Sequence, residues 1–101
     1  MNTNFQINYR YSKSDEQVSI PFYGSFPGED KLGALKTLCE IGKKVSEIVS
    51  TVRFSGVSDI SNSENVPEQD PPYHVFSTLD EFTNEGAQLI ADKIKAKLEE
   101  I

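Results

Sequence analysis

Residues 29–52 constrain the fold most, because their apolar side chains have the spacing of one long amphipathic helix. Pro27 and Gly28 break the preceding segment, and Glu29 and Asp30 would place negative charge at the positive end of the helix dipole. The apolar residues recur at steps of three and four and fall on one side of such a helix: Leu35, Leu38, Val45, Ile48, Val49 and Val52. A helix of this kind needs another layer of structure to cover its apolar side.

A β-hairpin before the helix is predicted to supply that layer. Residues 4–12 alternate strictly between apolar and polar, and residues 13–16 form a polar turn. Pro21 cannot donate a backbone hydrogen bond, so we expect the second strand to lie at a sheet edge or to end there. The two strands have these apolar residues: Phe5, Ile7, Tyr9 and Tyr11 in the first, and Val18, Ile20 and Phe22 in the second.

A second helix is predicted at the C-terminal end of the sequence. Residues 78–81, Thr-Leu-Asp-Glu, form a capping box, in which Thr78 and Glu81 satisfy the free amides of a helix start. The apolar side of this helix is formed by Leu79, Phe82, Gly86, Leu89, Ile90, Ile94 and Leu98. Near the end of this helix, the apolar residues recur every four residues. Ile94, Leu98 and Ile101 then point away from the core and form a dimer contact, or the end of the helix frays.

Between the helices, two short segments have the composition of strands. Residues 51–54 and 73–76 are rich in β-branched and aromatic residues, and residues 55–72 between them form a long acidic loop. The predicted class is therefore α+β, with an N-terminal β-hairpin packed on a long amphipathic helix, a second short strand pair and a C-terminal helix. The order of elements is ββαββα, or ββαα without the second pair. At 101 residues, we expect one domain over residues 1–101.

Each predicted helix has a glycine within its apolar side. Gly42 lies in the first helix and Gly86 in the second. Because a missing side chain allows close approach of another element, we expect Gly42 or Gly86 to mark a helix contact, in which a large residue of the partner fills the gap.

The distribution of charge carries the main functional prediction. The formal net charge is −6, and residues 54–92 contain no Lys or Arg. Nucleic-acid binding is disfavoured, since phosphate contacts need basic residues. The natural counterpart of such a region is a basic protein surface, and a solubilising surface without a partner is the alternative. The residues predicted to bind the partner are Asp59, Glu64, Glu68, Asp70, Asp80, Glu81 and Glu85.

The catalytic inventory of the sequence is small. His74 is the only histidine, and no nucleophile motif accompanies it. Cys39 is the only cysteine, so no internal disulfide can form, and its place beside the apolar helix side predicts a packed, inert thiol. We therefore expect a non-enzymatic protein.

One short motif bears on metal binding. Residues 59–63, Asp-Ile-Ser-Asn-Ser, have the pattern Asp-x-Ser-x-Ser, which resembles the metal-ion-dependent adhesion motif of integrin-type domains. The match covers five residues only. That family places the motif in a larger doubly wound domain, whereas this sequence lacks alternating strands and helices. We expect a polar turn here, with no metal and no cofactor.

The predicted function is that of a small acidic binding protein, an inhibitor or adaptor for a basic protein surface. Its small size and negative charge favour a protein encoded by a phage or mobile element and directed against a host nucleic-acid or defence system. Two alternatives are a homo-oligomeric structural or assembly subunit, and a small-molecule or metal-binding domain that uses the long loop and the phenols of Tyr9, Tyr11 and Tyr23. We expect a cytoplasmic protein that binds neither nucleic acid nor membrane, because the sequence has no secretory signal and no apolar run of membrane-spanning length.

Overall fold

The computed structural model describes residues 2–27, 31–60 and 72–100. Its elements are β1 (Asn2–Lys13), β2 (Glu16–Pro27), α1 (Lys31–Ile48), β3 (Val52–Asp59), β4 (Tyr73–Val75) and α2 (Leu79–Glu100). The four strands form one mixed sheet in the order β3-β1-β2-β4. The predicted α+β class is confirmed, with an N-terminal hairpin, a helix packed on it and a C-terminal helix.

The β1–β2 hairpin is longer than the alternation predicted. Its antiparallel register runs without a break from Asn2 opposite Pro27 to Lys13 opposite Glu16. The turn consists of Ser14 and Asp15, whose φ angles are 48° and 71°. Two successive positive φ values are those of a type I′ turn, which follows the right-handed twist of the strands and so fixes the register of the hairpin.

The two short strands are present, but they do not pair with each other. β3 is antiparallel to β1 at one edge of the sheet, and β4 is parallel to β2 at the other edge. A long hairpin has unpaired backbone N–H and C=O groups along both of its outer edges. If β3 and β4 paired only with each other, these groups would stay unpaired, whereas one strand at each edge forms hydrogen bonds with them. α1 ends at Ile48, so Val52 belongs to β3 rather than to the helix. β3 also extends to Asp59, within the predicted loop, whereas residues 61–71 lie outside the described part.

Pro21 lies where the sheet has a free edge, although β2 itself is a central strand. The amide of Tyr23 donates to the carbonyl of Pro72, and Phe76 donates to the carbonyl of Ser25. The odd-numbered residues of this part of β2 therefore direct their backbone groups toward β4. Pro21 shares that direction but lies before the stretch that pairs with β4, so its missing amide costs no ladder hydrogen bond. The prediction that the strand is an edge strand or ends at Pro21 is nevertheless wrong, because β2 lies between β1 and β4 and continues to Pro27.

Both helices pack on one face of the sheet and form a single core with it. α2 covers this core nearly to its end. A strand of twelve residues spans about 40 Å and a helix of 22 residues about 33 Å, so the hairpin is long enough to lie beneath the whole helix. Ile94 is fully buried, and Leu98 packs against the core. The prediction that Ile94 and Leu98 point away from the core is therefore wrong, and Ile101 lies outside the described residues. The buried apolar residues of the helices are Leu38, Ile41 and Val45 in α1, and Phe82, Ile90, Ala91 and Ile94 in α2.

The centre of the core is the ring of Phe5. Its centroid lies 5.2 Å from that of Phe82, 5.8 Å from Phe26 and 6.2 Å from Phe22. This ring covers Gly24, its partner across the β1–β2 ladder. A Cβ atom on Gly24 would lie 2.5 Å from the Cζ atom of Phe5 and 2.9 Å from the carbonyl oxygen of His74. The packing of the cluster thus requires a residue without a side chain at this position.

One of the two helix glycines marks a close contact with another element, as expected. A Cβ atom on Gly42 would lie 2.6 Å from a ring carbon of Phe54 in β3, so the large residue that fills the gap comes from the sheet. The hydroxyl of Tyr9 also donates to the carbonyl of Gly42 at 3.0 Å. A Cβ atom on Gly86 would lie 3.1 Å from the ring of Phe82 and 3.8 Å from Ile41 of α1. Gly42 therefore marks a close helix–sheet contact, whereas the nearest neighbour of Gly86 is Phe82 of its own helix and its contact with α1 is an ordinary van der Waals contact.

Candidate functional site: the acidic surface around the start of α2

The start of α2 is fixed by the predicted capping box, with one difference in its partners. The amide of Glu81 donates to the hydroxyl of Thr78 at 3.0 Å. The carboxylate of Glu81 accepts from the amide of Ser77 at 2.9 Å, one residue earlier than in the usual box. The two bonds hold the chain at a defined angle where it passes from β4 into the helix.

Glu81 also connects the helix to β4 through His74. The Nε2 atom of His74 lies 3.4 Å from Oε1 of Glu81, and the imidazole packs edge-on against Phe76 with centroids 4.6 Å apart. The pKa of the Glu81 carboxyl is lowered, chiefly because the Ser77 amide donates to it and also because of His74. Glu81 is therefore held in place as a carboxylate, and its contacts are structural.

Three further acidic residues lie within the first fourteen residues of α2. Asp80, Glu85 and Asp92 are exposed, and we call these three residues the α2 acidic surface. Between them lie exposed amide side chains, of which Gln88 donates to Asp92 at 2.9 Å. The basic residues of the helix begin only at Lys93, so the first fourteen residues of α2 present negative charge alone.

Asp59 lies far from this surface. It is exposed at the end of β3. One row across the four strands consists of Asp59 in β3, Phe5 in β1, Gly24 in β2 and His74 in β4. Asp59 and His74 are thus at opposite edges of the sheet, roughly 14 Å apart at about 4.8 Å per strand. The structure places Asp80, Glu81 and Glu85 together and separates Asp59 from them. The remaining predicted partner residues, Glu64, Glu68 and Asp70, lie outside the described residues.

The residues considered for catalysis and metal binding are not assembled into a site within the described part of the chain. His74 contacts Glu81 and Phe76, and Cys39 is half-buried on α1. No group of three or more His, Cys, Asp or Glu side chains in the described ranges could hold a metal ion. Of the adhesion-type motif, Asp59 and Ile60 are described, and its serines are not.

The three phenols predicted for a small ligand do not form a common site. Tyr9 is completely buried with its hydroxyl on Gly42, and burial raises the pKa of this phenol well above its ordinary value. Tyr11 is half-buried on the helix side of β1, whereas Tyr23 has the opposite parity to the core residue Phe22 and so faces away from the helices. The three tyrosines therefore do not line one common site, whereas residues 61–71 of the long loop, the other part of that alternative, lie outside the described residues.

A second surface was missed by the sequence reasoning. No described helix or strand packs on the sheet face opposite the helices, which we call the open sheet face. The signal was present in the polar residues that alternate with the core residues of the hairpin. By register, this face includes Asn4, Gln6, Asn8, Arg10 and Ser12 in β1, Gln17, Ser19, Pro21, Tyr23 and the buried Ser25 in β2, Arg53, Gly56 and Ser58 in β3, and Tyr73 and Val75 in β4.

Comparison with known proteins gives no relative from which a function could be transferred. No family model matches the chain, and neither a curated protein nor a solved structure matches it. Within the described residues, neither helix is apolar enough over its length to cross a lipid bilayer. The surfaces of the molecule are therefore the basis for a functional proposal.

Proposed function

We propose that this protein is a small, non-enzymatic binding protein of the cytosol, an inhibitor or adaptor whose acidic surface engages a basic protein surface. The observation that carries the proposal is the α2 acidic surface. Asp80, Glu85 and Asp92 are exposed on one helix, in a region that contains no Lys or Arg.

The helix that presents these carboxylates is rigidly held. Phe82 and Ile90 are fully buried on its other side, and the capping box fixes its first turn. A surface that is ordered before binding loses little conformational entropy when a partner arrives. Its exposed charges act mainly by attracting and orienting an oppositely charged partner, which raises the association rate and makes binding sensitive to salt.

The positions of the lysines in α2 also favour the α2 acidic surface as the binding surface. Lys93 and Lys97 lie in the last part of α2, and Lys97 is paired with Glu100 at 3.6 Å. Asp80 stands at the positive end of the helix dipole, which stabilises a carboxylate there. The lysines of the helix thus begin only after Asp92, so a basic partner would meet Asp80 and Glu85 on a part of the helix without lysines.

The test compares two variants that lose the same charge from different surfaces. The first carries Asp80→Asn, Glu85→Gln and Asp92→Asn, and the control carries Glu40→Gln, Glu47→Gln and Glu99→Gln, all at exposed positions. Binding to a lysine-rich peptide of defined length is measured by calorimetry at low and moderate salt, and host proteins are captured from lysate in parallel. We expect the first variant to bind at least about tenfold more weakly and the control to bind within about twofold of the wild type.

Two results would contradict the proposal. Equal weakening in both variants would mean that only net charge matters and that no particular surface is used. Unchanged binding in the first variant would show that the α2 acidic surface is a solvated surface without a partner.

A further inference from the structure

Two arginines lie directly opposite each other on the open sheet face. Arg10 of β1 is paired with Arg53 of β3, and both side chains are exposed. Side chains in directly opposite positions start about 5 Å apart, where like charges destabilise a sheet. Among the described residues, neither guanidinium has a carboxylate within 4.0 Å. The repulsion between the two arginines is therefore not offset by any described acid.

Within the part of the chain that the structure describes, the open sheet face around this pair has no acidic residue. The described residues of the open sheet face carry hydroxyl, amide and aromatic side chains but no carboxylate. The Nη1 atom of Arg10 donates to Oε1 of Gln17 at 3.5 Å. A neutral acceptor orients the guanidinium without cancelling its charge, so the pair remains available to an anion.

A shallow depression lies on the β2 side of Arg10, whereas Arg53 flanks Arg10 on the β3 side. The depression has a volume of about 190 Å³ and is lined by Arg10, Gln17, Val18 and Ser19. Its size suits one small group rather than a long chain. The net charge of −6 also disfavours a polyanion such as nucleic acid, because long-range repulsion acts on the whole polymer, whereas a single anionic group is attracted by the two nearby arginines.

We propose that Arg10 and Arg53 form a binding site for a small ligand that carries a phosphate monoester group. Arginine presents several N–H donors in one plane, which match the oxygens of a phosphate in pairs. A phosphate monoester carries up to two negative charges near neutral pH, so one group can neutralise both guanidinia. Ser19, the cross-strand partner of Arg10 in β2, lines the depression with Arg10, so a ligand held there would be reached by Arg53 from the other side of Arg10. Binding at this site is independent of the α2 acidic surface.

The first test is a ¹⁵N NMR titration with inorganic phosphate and with phenyl phosphate, against sodium chloride at matched ionic strength. We expect saturable shifts at the amides of Arg10, Ser19 and Arg53. Arg53→Gln should weaken binding by about tenfold or more, since it removes hydrogen bonds to a charged group. Lys36→Gln, which removes the same charge from an exposed position on α1, should leave binding unchanged. Shifts that do not saturate, or equal weakening in both variants, would overturn the proposal.

The second test uses stability and does not depend on detecting a weak complex. Without phosphate, Arg53→Gln should raise the melting temperature, because it removes the like-charge contact. With phosphate, the wild type should gain stability and Arg53→Gln should not. A lower melting temperature of Arg53→Gln in phosphate-free buffer would overturn the proposal. A concentration-dependent oligomer that Arg53→Gln abolishes would also overturn it, since a second copy would then occupy the pair.

Discussion

The two faces of the sheet are built from alternate residues of the same strands, yet they differ in almost every property. Phe5, Ile7 and Tyr9 of β1 have no exposed surface, whereas Gln6 and Asn8 between them are half-buried and Arg10 is exposed. One face therefore determines the stability of the fold through packing. The other face has polar side chains that are half-buried or exposed, so substitutions there should cost less stability than substitutions in the core.

The difference in the contribution of the two faces to stability should be largest between adjacent residues of β1. Phe5→Ala should lower the free energy of unfolding by about 3–5 kcal/mol, because it removes the ring at the centre of the phenylalanine cluster and leaves a cavity. Gln6→Ala, one residue on and facing the other way, should lower it by only about 0.5–1.5 kcal/mol, through loss of the hydrogen bond from its amide to Oδ1 of Asn8. Urea denaturation of both variants measures this, and similar losses would show that the open sheet face is also packed.

The space around the glycines also differs between the two faces of the sheet. Gly24→Ala and Gly42→Ala should each destabilise the protein by about 1–3 kcal/mol, since the new methyl group would overlap Phe5 or Phe54. Gly56 is the matched control on the open sheet face, where a Cβ atom would meet nothing within 4 Å. Gly56→Ala should therefore be neutral or stabilise by up to about 1 kcal/mol. Thermal denaturation that ranked the three variants differently would contradict the packing described here.

Tyr9 gives the helix-covered face a dependence on high pH. Tyr9→Phe should cost about 0.5–1.5 kcal/mol through the lost hydrogen bond to Gly42. Because burial raises the pKa of this phenol in the folded state, its stabilising contribution is complete below the pKa of an unfolded tyrosine, about 10, and falls as the pH rises above that value. Denaturation between pH 8 and 11 should show a steeper loss of stability in the wild type than in Tyr9→Phe. Parallel curves would mean that Tyr9 ionises freely.

The smallest effect is expected at Glu81, where α2 meets β4. The pKa of its carboxyl is lowered in the folded state, so its contribution is present above the ordinary pKa and is lost as the pH falls through the folded value. Glu81→Gln should therefore be less stable than the wild type at neutral pH, and the difference should shrink in acid. A difference that did not change between pH 7 and pH 2 would show that the contacts with Ser77 and His74 do not depend on charge.

Local patterns in the sequence predicted much of the fold. The alternation of the hairpin, the helical spacing of α1 and the capping box at Thr78 all depend on residues close together in the chain. The pairing of β3 and β4 depends on which edges of the hairpin remain free, and nothing local specifies this. Ile94 was misplaced because its orientation depends on the length of the sheet beneath α2, and Ile41 was overlooked although it is buried.

The candidate site was only partly predictable for the same reason. The absence of Lys and Arg between residues 54 and 92 indicated an acidic surface, and Asp80 and Glu85 do lie together on α2. Asp59 was grouped with them because it is close in sequence, but the sheet order separates it. The pairing of Arg10 with Arg53 joins residues 43 positions apart, so only the register of β1 with β3 reveals it.

The tight turn of the hairpin has a consequence for how the chain folds. β1 and β2 are joined by two residues, so the central pair of the sheet closes a very short loop, whereas β3 and β4 must find its edges after longer searches. The hairpin is therefore expected to form before the folding barrier is crossed. Asp15 has a positive φ that glycine adopts without strain, so stopped-flow measurements on Asp15→Gly should show faster folding and a nearly unchanged unfolding rate.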